Sequence, residues 1–330
     1  MKTNRMKKAQ PLQRSAALAT AALLIFAAAL VCTGCPGGSG QKKPSQSGSG
    51  SPPPVIGSYN AATETLTVGS VTYMMKPIPA ATSQNLGEGA AASDNNGPHT
   101  VSLTAYRIGE TEVTQELYQA VMGSNPSQFD GSTGKEPADG EVQQKRPVDT
   151  VTWFDCIKFC NKLTDGIAGL GPSERVYTVS GTTVTQDLSK KGFRLPTEAE
   201  WEWAARGNTG DIYSGGAVAG NAAWFSGNSN HKTHEVGKKP ATPGNVYGLY
   251  DMSGNVWEWC WDLYNPAVPS GETDPTGPMS GFTDRTKRGG AWSTAGTACK
   301  CVYRGSTAPA APENPEHTND KIGFRIVCRP

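Results

Sequence analysis

Phe193-Arg194-Leu195-Pro196-Thr197-Glu198-Ala199-Glu200-Trp201-Glu202-Trp203-Ala204-Ala205-Arg206-Gly207 is the stretch from which the fold is read. Thr197 and Glu200 have capping-box spacing: the hydroxyl takes a backbone N–H three residues on, and the carboxylate reaches back to the cap. The spacing predicts a helix from Glu198, with Glu202 and Arg206 placed for an i,i+4 pair. Working outward, Thr114 caps a second helix carrying Leu117, Tyr118, Val121 and Met122, stopped by Gly123 with Pro126 beyond. Thr152 opens a third, with Trp153, Ile157, Cys160 and Leu163 at helical spacing. Short strands are expected over 65–71, 99–103, 176–179, 256–261 and 322–328, with ordered irregular loop through most of 207–290. Helices early and short strands late, without alternating βαβ units, predict an α+β fold. In the strand Trp257-Glu258-Trp259-Cys260-Trp261 the three tryptophans share one side. They read either as a stacking platform for sugar or, better, as core between two glycine-rich turns.

The 330 residues carry 30 Lys+Arg against 29 Asp+Glu, a balance that excludes a basic nucleic-acid binder and an acidic disordered tail. With 39 Gly and 24 Pro but no collagen period, the chain reads as loop-rich and globular. Only the N-terminal 16–32 run approaches a membrane span in apolarity, which excludes a polytopic membrane protein.

That run follows Lys2, Arg5, Lys7, Lys8 and Arg14 and ends in Val31-Cys32-Thr33-Gly34-Cys35, the layout of a secretory signal. Small residues before Cys35 resemble a bacterial lipoprotein cleavage site, with residues 1–34 removed and Cys35 lipidated. Cys32 stands where Leu is usual, a looseness known in spirochaete lipoproteins; plain secretion with Cys35 as an ordinary thiol is the other reading. Removal of 1–34 takes away five positive charges and leaves a net −4. Residues 35–55 then form a Gly/Ser/Pro tether reaching roughly 25 Å as a coil. Several acyl chains on one cysteine give stable anchoring. The expected location is the outer membrane, with the 56–330 domain exposed at the surface.

Beyond Cys35 there are Cys156, Cys160, Cys260, Cys299, Cys301 and Cys328. Zinc needs two close-spaced pairs or nearby His, and His99, His231, His234 and His317 complete no such set. Buried thiols or one or two disulfides are expected, since export permits them. The sequence holds no Gly-x-Ser-x-Gly elbow, His-Glu-x-x-His pair or phosphate-binding Gly loop. Glu198, Glu200, Glu202 and Glu258 read as caps and hydrogen-bonding groups.

Further motifs come in a fixed order. Glu112-Val113-Thr114, Pro147-Val148, Val151-Thr152-Trp153 and Phe159-Cys160-Asn161 precede the 193–207 stretch. After it come Gly248-Leu249-Tyr250-Asp251-Met252-Ser253-Gly254-Asn255-Val256-Trp257-Glu258-Trp259, Arg288-Gly289-Gly290-Ala291-Trp292 and Gly323-Phe324-Arg325. Over roughly residues 70–328 this series resembles the formylglycine-generating-enzyme-like (sulfatase-modifying-factor) family. The resemblance implies one domain over 56–330 with an elaborated C-type-lectin fold, two main helices and much irregular loop.

Such a fold hosts both catalysts and binders. The family's enzymes oxidise a substrate cysteine with two active-site cysteines, which counting from Arg288 fall at Thr294 and Cys299. A hydroxyl cannot replace a thiolate as redox centre or soft copper ligand, and Cys301 does not restore the spacing. The chain therefore reads as no enzyme and as requiring no cofactor; a cysteine-oxidising enzyme using Cys299 is the alternative. The resemblance also implies a structural calcium near Asn245, Val246, Gly248 and Tyr250, with Asn221 and Asn228 as a looser second set. It further implies a bridge from Cys160 to the last strand, where Cys328 lies two residues from the family's position.

Residues 293–308 depart from the family pattern. Ser293, Thr294, Ala295, Thr297, Ala298, Tyr303, Gly305, Ser306 and Thr307 stand where many relatives carry Asn, and each type is reachable from an Asn codon by changing adenines alone. That resembles the retroelement-diversified variable proteins, those of Treponema above all. It implies a non-catalytic surface lipoprotein whose variable region near 288–328 binds a protein or other exposed ligand on another cell, with Tyr303 as anchor. The plainer alternative is a small-residue surface loop. Calcium-dependent sugar binding is weaker, since the Glu-Pro-Asn and Trp-Asn-Asp motifs are absent.

Overall fold

A computed structural model describes residues 53–88, 96–239, 244–305 and 319–330. The expected signal, Cys35, most of the expected tether, Ser306 and Thr307 lie outside the described residues. The chain opens with strands β1 (Gly57–Asn60), β2 (Thr65–Val68), β3 (Val71–Ile78), β4 (Ala81–Leu86), β5 (His99–Leu103) and β6 (Tyr106–Gly109). Helices α1 (Gln115–Met122) and α2 (Trp153–Gly166) lead to the hairpin β7 (Tyr177–Ser180) and β8 (Thr183–Gln186), then to α3 (Glu198–Arg206). A single turn, α4 (Ala219–Ala222), precedes β9 (Trp257–Leu263), β10 (Glu272–Thr273), β11 (Arg285–Arg288), β12 (Ile322–Gly323) and β13 (Val327–Cys328).

The three helices begin where their caps place them. Thr114 accepts from Leu117 N, and Thr152 and Thr197 each close a full capping box, with Asp155 and Glu200. Glu202 and Arg206 make the i,i+4 pair at 3.2 Å. The strands differ more from expectation. Residues 65–71 are not one strand but the two sides of a hairpin, in which Gly69 at φ 57° turns β2 back into β3. Those strands extend into a five-stranded sheet of order β1-β2-β3-β6-β13; β10-β5-β4 and β11-β9-β12 form two three-stranded sheets.

Helices α1 and α2 pack together over the first core, where Tyr118 stacks on Phe159 at 5.4 Å and Phe159 meets Phe324 edge-on at 5.2 Å. Strand β9 is buried on both faces. Trp257, Trp259 and Trp261 enter this core, while Cys260 packs with Trp201 and Trp203 of α3 in a second one. The tryptophans are core, and Trp201 Nε1 donates to Glu258 Oε2 across the sheet at 2.7 Å.

The single strand expected over 322–328 is broken in two, and the two halves belong to different sheets. Arg325 is the cause. Its fully buried guanidinium turns inward to Glu258, Nε to Oε2 at 2.6 Å and Nη2 to Oε1 at 2.7 Å. It also donates to the carbonyls of Gly109 and Tyr250. The chain thus gives up strand geometry to satisfy a charge.

Cys160 and Cys328 correct the bridge that the resemblance implied: both are free, as are the other four described cysteines. Both belong to the first core, Cys160 on α2 and Cys328 on β13 beside the Tyr59 hydroxyl, and the Arg194 charge acts on both.

Replacing Arg325 by Met strands a buried carboxylate and is expected to cost about 3–5 kcal/mol. The double variant Arg325→Met/Glu258→Gln should recover at least half of that, since the amide oxygen introduced at position 258 can still accept from Trp201. Urea midpoints at unchanged m-value measure both; a wild-type midpoint for the single variant would remove this pair from the account of the fold.

Candidate binding surface

Segment 289–303 is held at both ends by one helix turn. Arg288 closes β11, and Arg304 pairs with it in an isolated antiparallel bridge. Arg288 Nη2 donates to Glu202 Oε2 at 2.6 Å and Nη1 to Glu198 Oε1 at 3.1 Å. Arg304 grips Glu198 with two bonds, Nε to Oε1 at 2.5 Å and Nη2 to Oε2 at 2.7 Å. Burial alone would raise both carboxylates, but Arg304 and Arg288 at Glu198, and Arg288 at Glu202, outweigh it and hold them below the usual range. Arg288 further donates to the carbonyls of Cys301 and Val302, so the guanidinium tethers segment backbone as well.

Between these ends the chain is fixed by main-chain bonds. Trp292 donates its N–H to Asn255 O at 2.7 Å and its indole to Asp320 O, while its carbonyl accepts from Ser229 Oγ. Ser226 N–H donates to Thr294 O at 2.9 Å, and Cys301 N–H to Ile212 O at 3.0 Å. Gly290 has φ 76°, and a Cβ there would come within 2.6 Å of Cys299 Sγ. Only glycine allows this approach.

The seven described residues of the nine singled out in the sequence are distributed unevenly on this frame. Ala295 and Thr297 are exposed; Ser293, Thr294, Ala298 and Tyr303 are half-buried. Tyr303 lies against Trp257, ring centroids 6.0 Å apart, and Lys287 Nζ sits 5.0 Å from the same indole. Gly305 is buried and presents no side chain; its N–H donates to Lys287 O. Sequence reasoning missed a second border. Ile212 and Val218 are exposed large apolar residues, and Ala219 and Phe225 flank Gly296. A lone apolar residue in a glycine-rich loop was the only signal.

The same place is where catalysis would have to occur. Thr294 Oγ1 hydrogen-bonds both to Ala291 N–H and to its carbonyl, and lies 3.7 Å from Cys299 Sγ. Burial pushes the Cys299 thiol up to about 12, against only a small lowering by the Thr294 hydroxyl. Burial, with Glu202 adding to it, pushes Cys301 to about 12 as well. The two thiols lie in different clusters, Cys299 with Tyr213, Ala222 and Ala223, and Cys301 under α3. They do not converge.

Of the residues expected to hold calcium, Asn245 and Tyr250 have donor atoms already engaged in hydrogen bonds. Asn245 Oδ1 accepts from the N–H groups of Tyr247 and Leu249, and its Nδ2 donates to Ala204 O and Ser214 Oγ. The Asn245 carbonyl accepts from Gly248, and the Tyr250 carbonyl from Arg325. Asn245 is a strut between its own turn and the end of α3. Asn228 likewise closes a turn, accepting from Phe225 N–H and donating to Ala223 O, while Asn221 is exposed.

Residues 64–330 match the model of the sulfatase-modifying factor enzyme 1-like domain family. The chain belongs to that family. Treponema denticola variable protein 1 shares 45% identity and superposes with a TM-score of 0.69, over 81% of this chain and 98% of that one. The formylglycine-generating enzyme of Streptomyces coelicolor is 30% identical over 267 residues, 73% of this chain and 83% of its own. PvdO from Pseudomonas aeruginosa, 21% identical over 78% of this chain and 94% of its own at a TM-score of 0.57, shares the fold. The fold is therefore α+β, the C-type-lectin arrangement in the elaborated form of this family, with much irregular loop.

A thiol raised to about 12 is essentially all protonated at pH 8. Native Cys299 should react with iodoacetamide about a thousandfold more slowly than an exposed cysteine. In urea without reductant, all six described cysteines should alkylate, as read by peptide mass spectrometry. Fast native labelling at Cys299 would contradict the burial on which this rests.

Proposed function

We propose that the protein is a non-catalytic, lipid-anchored surface protein that binds ligand through varied side chains at positions 293, 294, 295, 297, 298, 303, 305, 306 and 307. The observation that carries this reading is the pairing of a rigid clamp with small, interchangeable side chains: Arg288 and Arg304 are locked to α3, while Ala295 and Thr297 face water. The 45% identity to a Treponema variable protein supports it. So does Thr294 in place of a catalytic cysteine. The ligand would be a protein or other exposed molecule on another cell, with Tyr303 on Trp257 as the aromatic anchor. Lipid on Cys35 would hold the domain at the outer membrane, with the 35–55 tether as spacer.

Two measurements test it. Comparison of the locus between sibling strains should show differences concentrated at the nine positions and confined to adenine-derived codons; an identical 293–307 segment in all of them would count against diversification. Replacing Ala295 and Thr297 by Asn should shift Tm by less than about 2 °C, because exposed substitutions away from special features stay within about 0.5 kcal/mol.

A second reading has its own support: Cys299 occupies the family's second cysteine position, and the formylglycine-generating enzyme of Streptomyces coelicolor is a relative. On that reading a Cys-x-Pro-x-Arg peptide would be oxidised in the presence of copper, and Cys299→Ser would abolish turnover. We expect no turnover in either protein.

A further inference from the structure

Behind the clamp lies a largely enclosed cavity that the binding surface does not use. It is walled by His99 and Val101 of β5, Glu198 and Glu202 of α3, Asp262 at the end of β9, and Arg304. The connection after β9 closes it with an apolar side of Val268, Pro269, Pro275 and Pro278. Space for the centres of water-sized groups amounts to about 40 Å³, room for roughly three such groups.

Two polar side chains in this wall are incompletely paired. His99 is 7% exposed and Asp262 5%. His99 Nδ1 lies 2.9 Å from Gly97 O, so Nδ1 carries a proton; in the neutral ring Nε2 is then an acceptor. Asp262 Oδ2 accepts from Glu198 N–H at 2.8 Å. Among the described residues neither His99 Nε2 nor Asp262 Oδ1 has a hydrogen-bond partner. The two carboxylates of α3 are committed, half-buried Glu198 to Arg304 and Arg288, and buried Glu202 to Arg288, Arg206 and Asn96. Glu272 stands exposed at the rim.

We propose that this cavity binds the head group of a primary alkylammonium ion, with Asp262 Oδ1 and His99 Nε2 as its acceptors and the proline-lined side against its alkyl chain. An ammonium has three donors and no acceptor, the complement of two open acceptors. Charge supports the choice. Burial, then the Glu198 charge, pushes Asp262 up to about 8, against Arg304 and the bond from Glu198 N–H. Glu200 raises it slightly; Arg285 of β11 also feels its charge, as does Cys260 on its own strand. At neutral pH the site therefore already holds one positive charge as the proton on Asp262. Entry of the ammonium releases that proton and leaves the net charge of the cavity unchanged. Affinity should accordingly weaken as pH falls below 8, because each ligand bound must first remove a proton.

Calorimetric titration of the full chain with n-propylammonium chloride tests this, with n-propanol as the neutral isostere. Expected are binding about twentyfold tighter at pH 8.5 than at pH 6.5 and release of close to one proton at pH 6.5, read from buffers of different ionisation enthalpy. Asp262→Asn, which can still cap α3, should lose most of the pH dependence and at least tenfold in affinity. Val268→Trp, on the connecting loop, should block the cavity without touching its polar end. No binding on the order of 10 mM at pH 8.5, equal binding of n-propanol, affinity independent of pH, or undiminished binding in both variants would overturn the proposal.

Discussion

Four paired charges, three of them buried and Glu198 half-buried, decide the shape of the 289–303 face. Glu198 and Glu202, one turn apart on α3, receive Arg288 and Arg304, the two residues that bracket segment 289–303. Buried ion pairs contribute little net stability against a well-packed apolar alternative, but removing one partner costs several kcal/mol. They therefore serve geometry more than stability. A loop whose two ends answer to the same helix turn cannot drift without stranding a charge in the core. The guanidinium of Arg288 adds the carbonyls of residues 301 and 302 to the same set, so the return limb of the loop is tied to its departure point.

The same device recurs deeper in the fold. Arg194 grips Glu200 through two bonds of 2.6 Å, and Arg325 grips Glu258. Glu200 closes a capping box as well, so α3 is fixed in register at its first turn before its tryptophans pack. The glutamates of the Thr197–Arg206 stretch thus act as positioning groups. Their pairing partners explain why they need no catalytic role.

Much of this was legible in the sequence where the physics is local. Each of the three longer helices announces itself through a cap within four residues of its start, and all three form where Thr114, Thr152 and Thr197 place them. Strand pairing is not local: β13 lies beside β6, with Val327 opposite Ile108, and no pattern within either segment reports the other. The break at Arg325 was hidden for the same reason, because its partner Glu258 is 67 residues away. At the site, motif counting located Thr294 and Cys299. It could not show that Gly305 faces inward, nor that Ile212 and Val218 border the segment, since both depend on how distant loops meet. The Cys160–Cys328 bridge is absent although both thiols belong to the first core and feel the same Arg194 charge: sharing a core does not give two thiols bonding geometry.

How the segment is held bears on how it could change. Its anchoring bonds use main-chain atoms: the N–H and carbonyl of Trp292, the carbonyl of Thr294, the N–H groups of Cys301 and Gly305. Side chains at 293, 295, 297 and 298 enter none of these anchoring bonds and can be exchanged without loosening the loop. Thr294 is the exception, since its hydroxyl closes the turn on Ala291. Ser, Asn or Asp could make the same short-range bond, whereas an apolar side chain could not. Exchange at 294 is thereby limited by chemistry, and at 305 by space, because a side chain there would meet the Lys287 stem at 2.7 Å. A surface built this way separates what must stay fixed from what is free to vary, and it does so at the level of individual atoms.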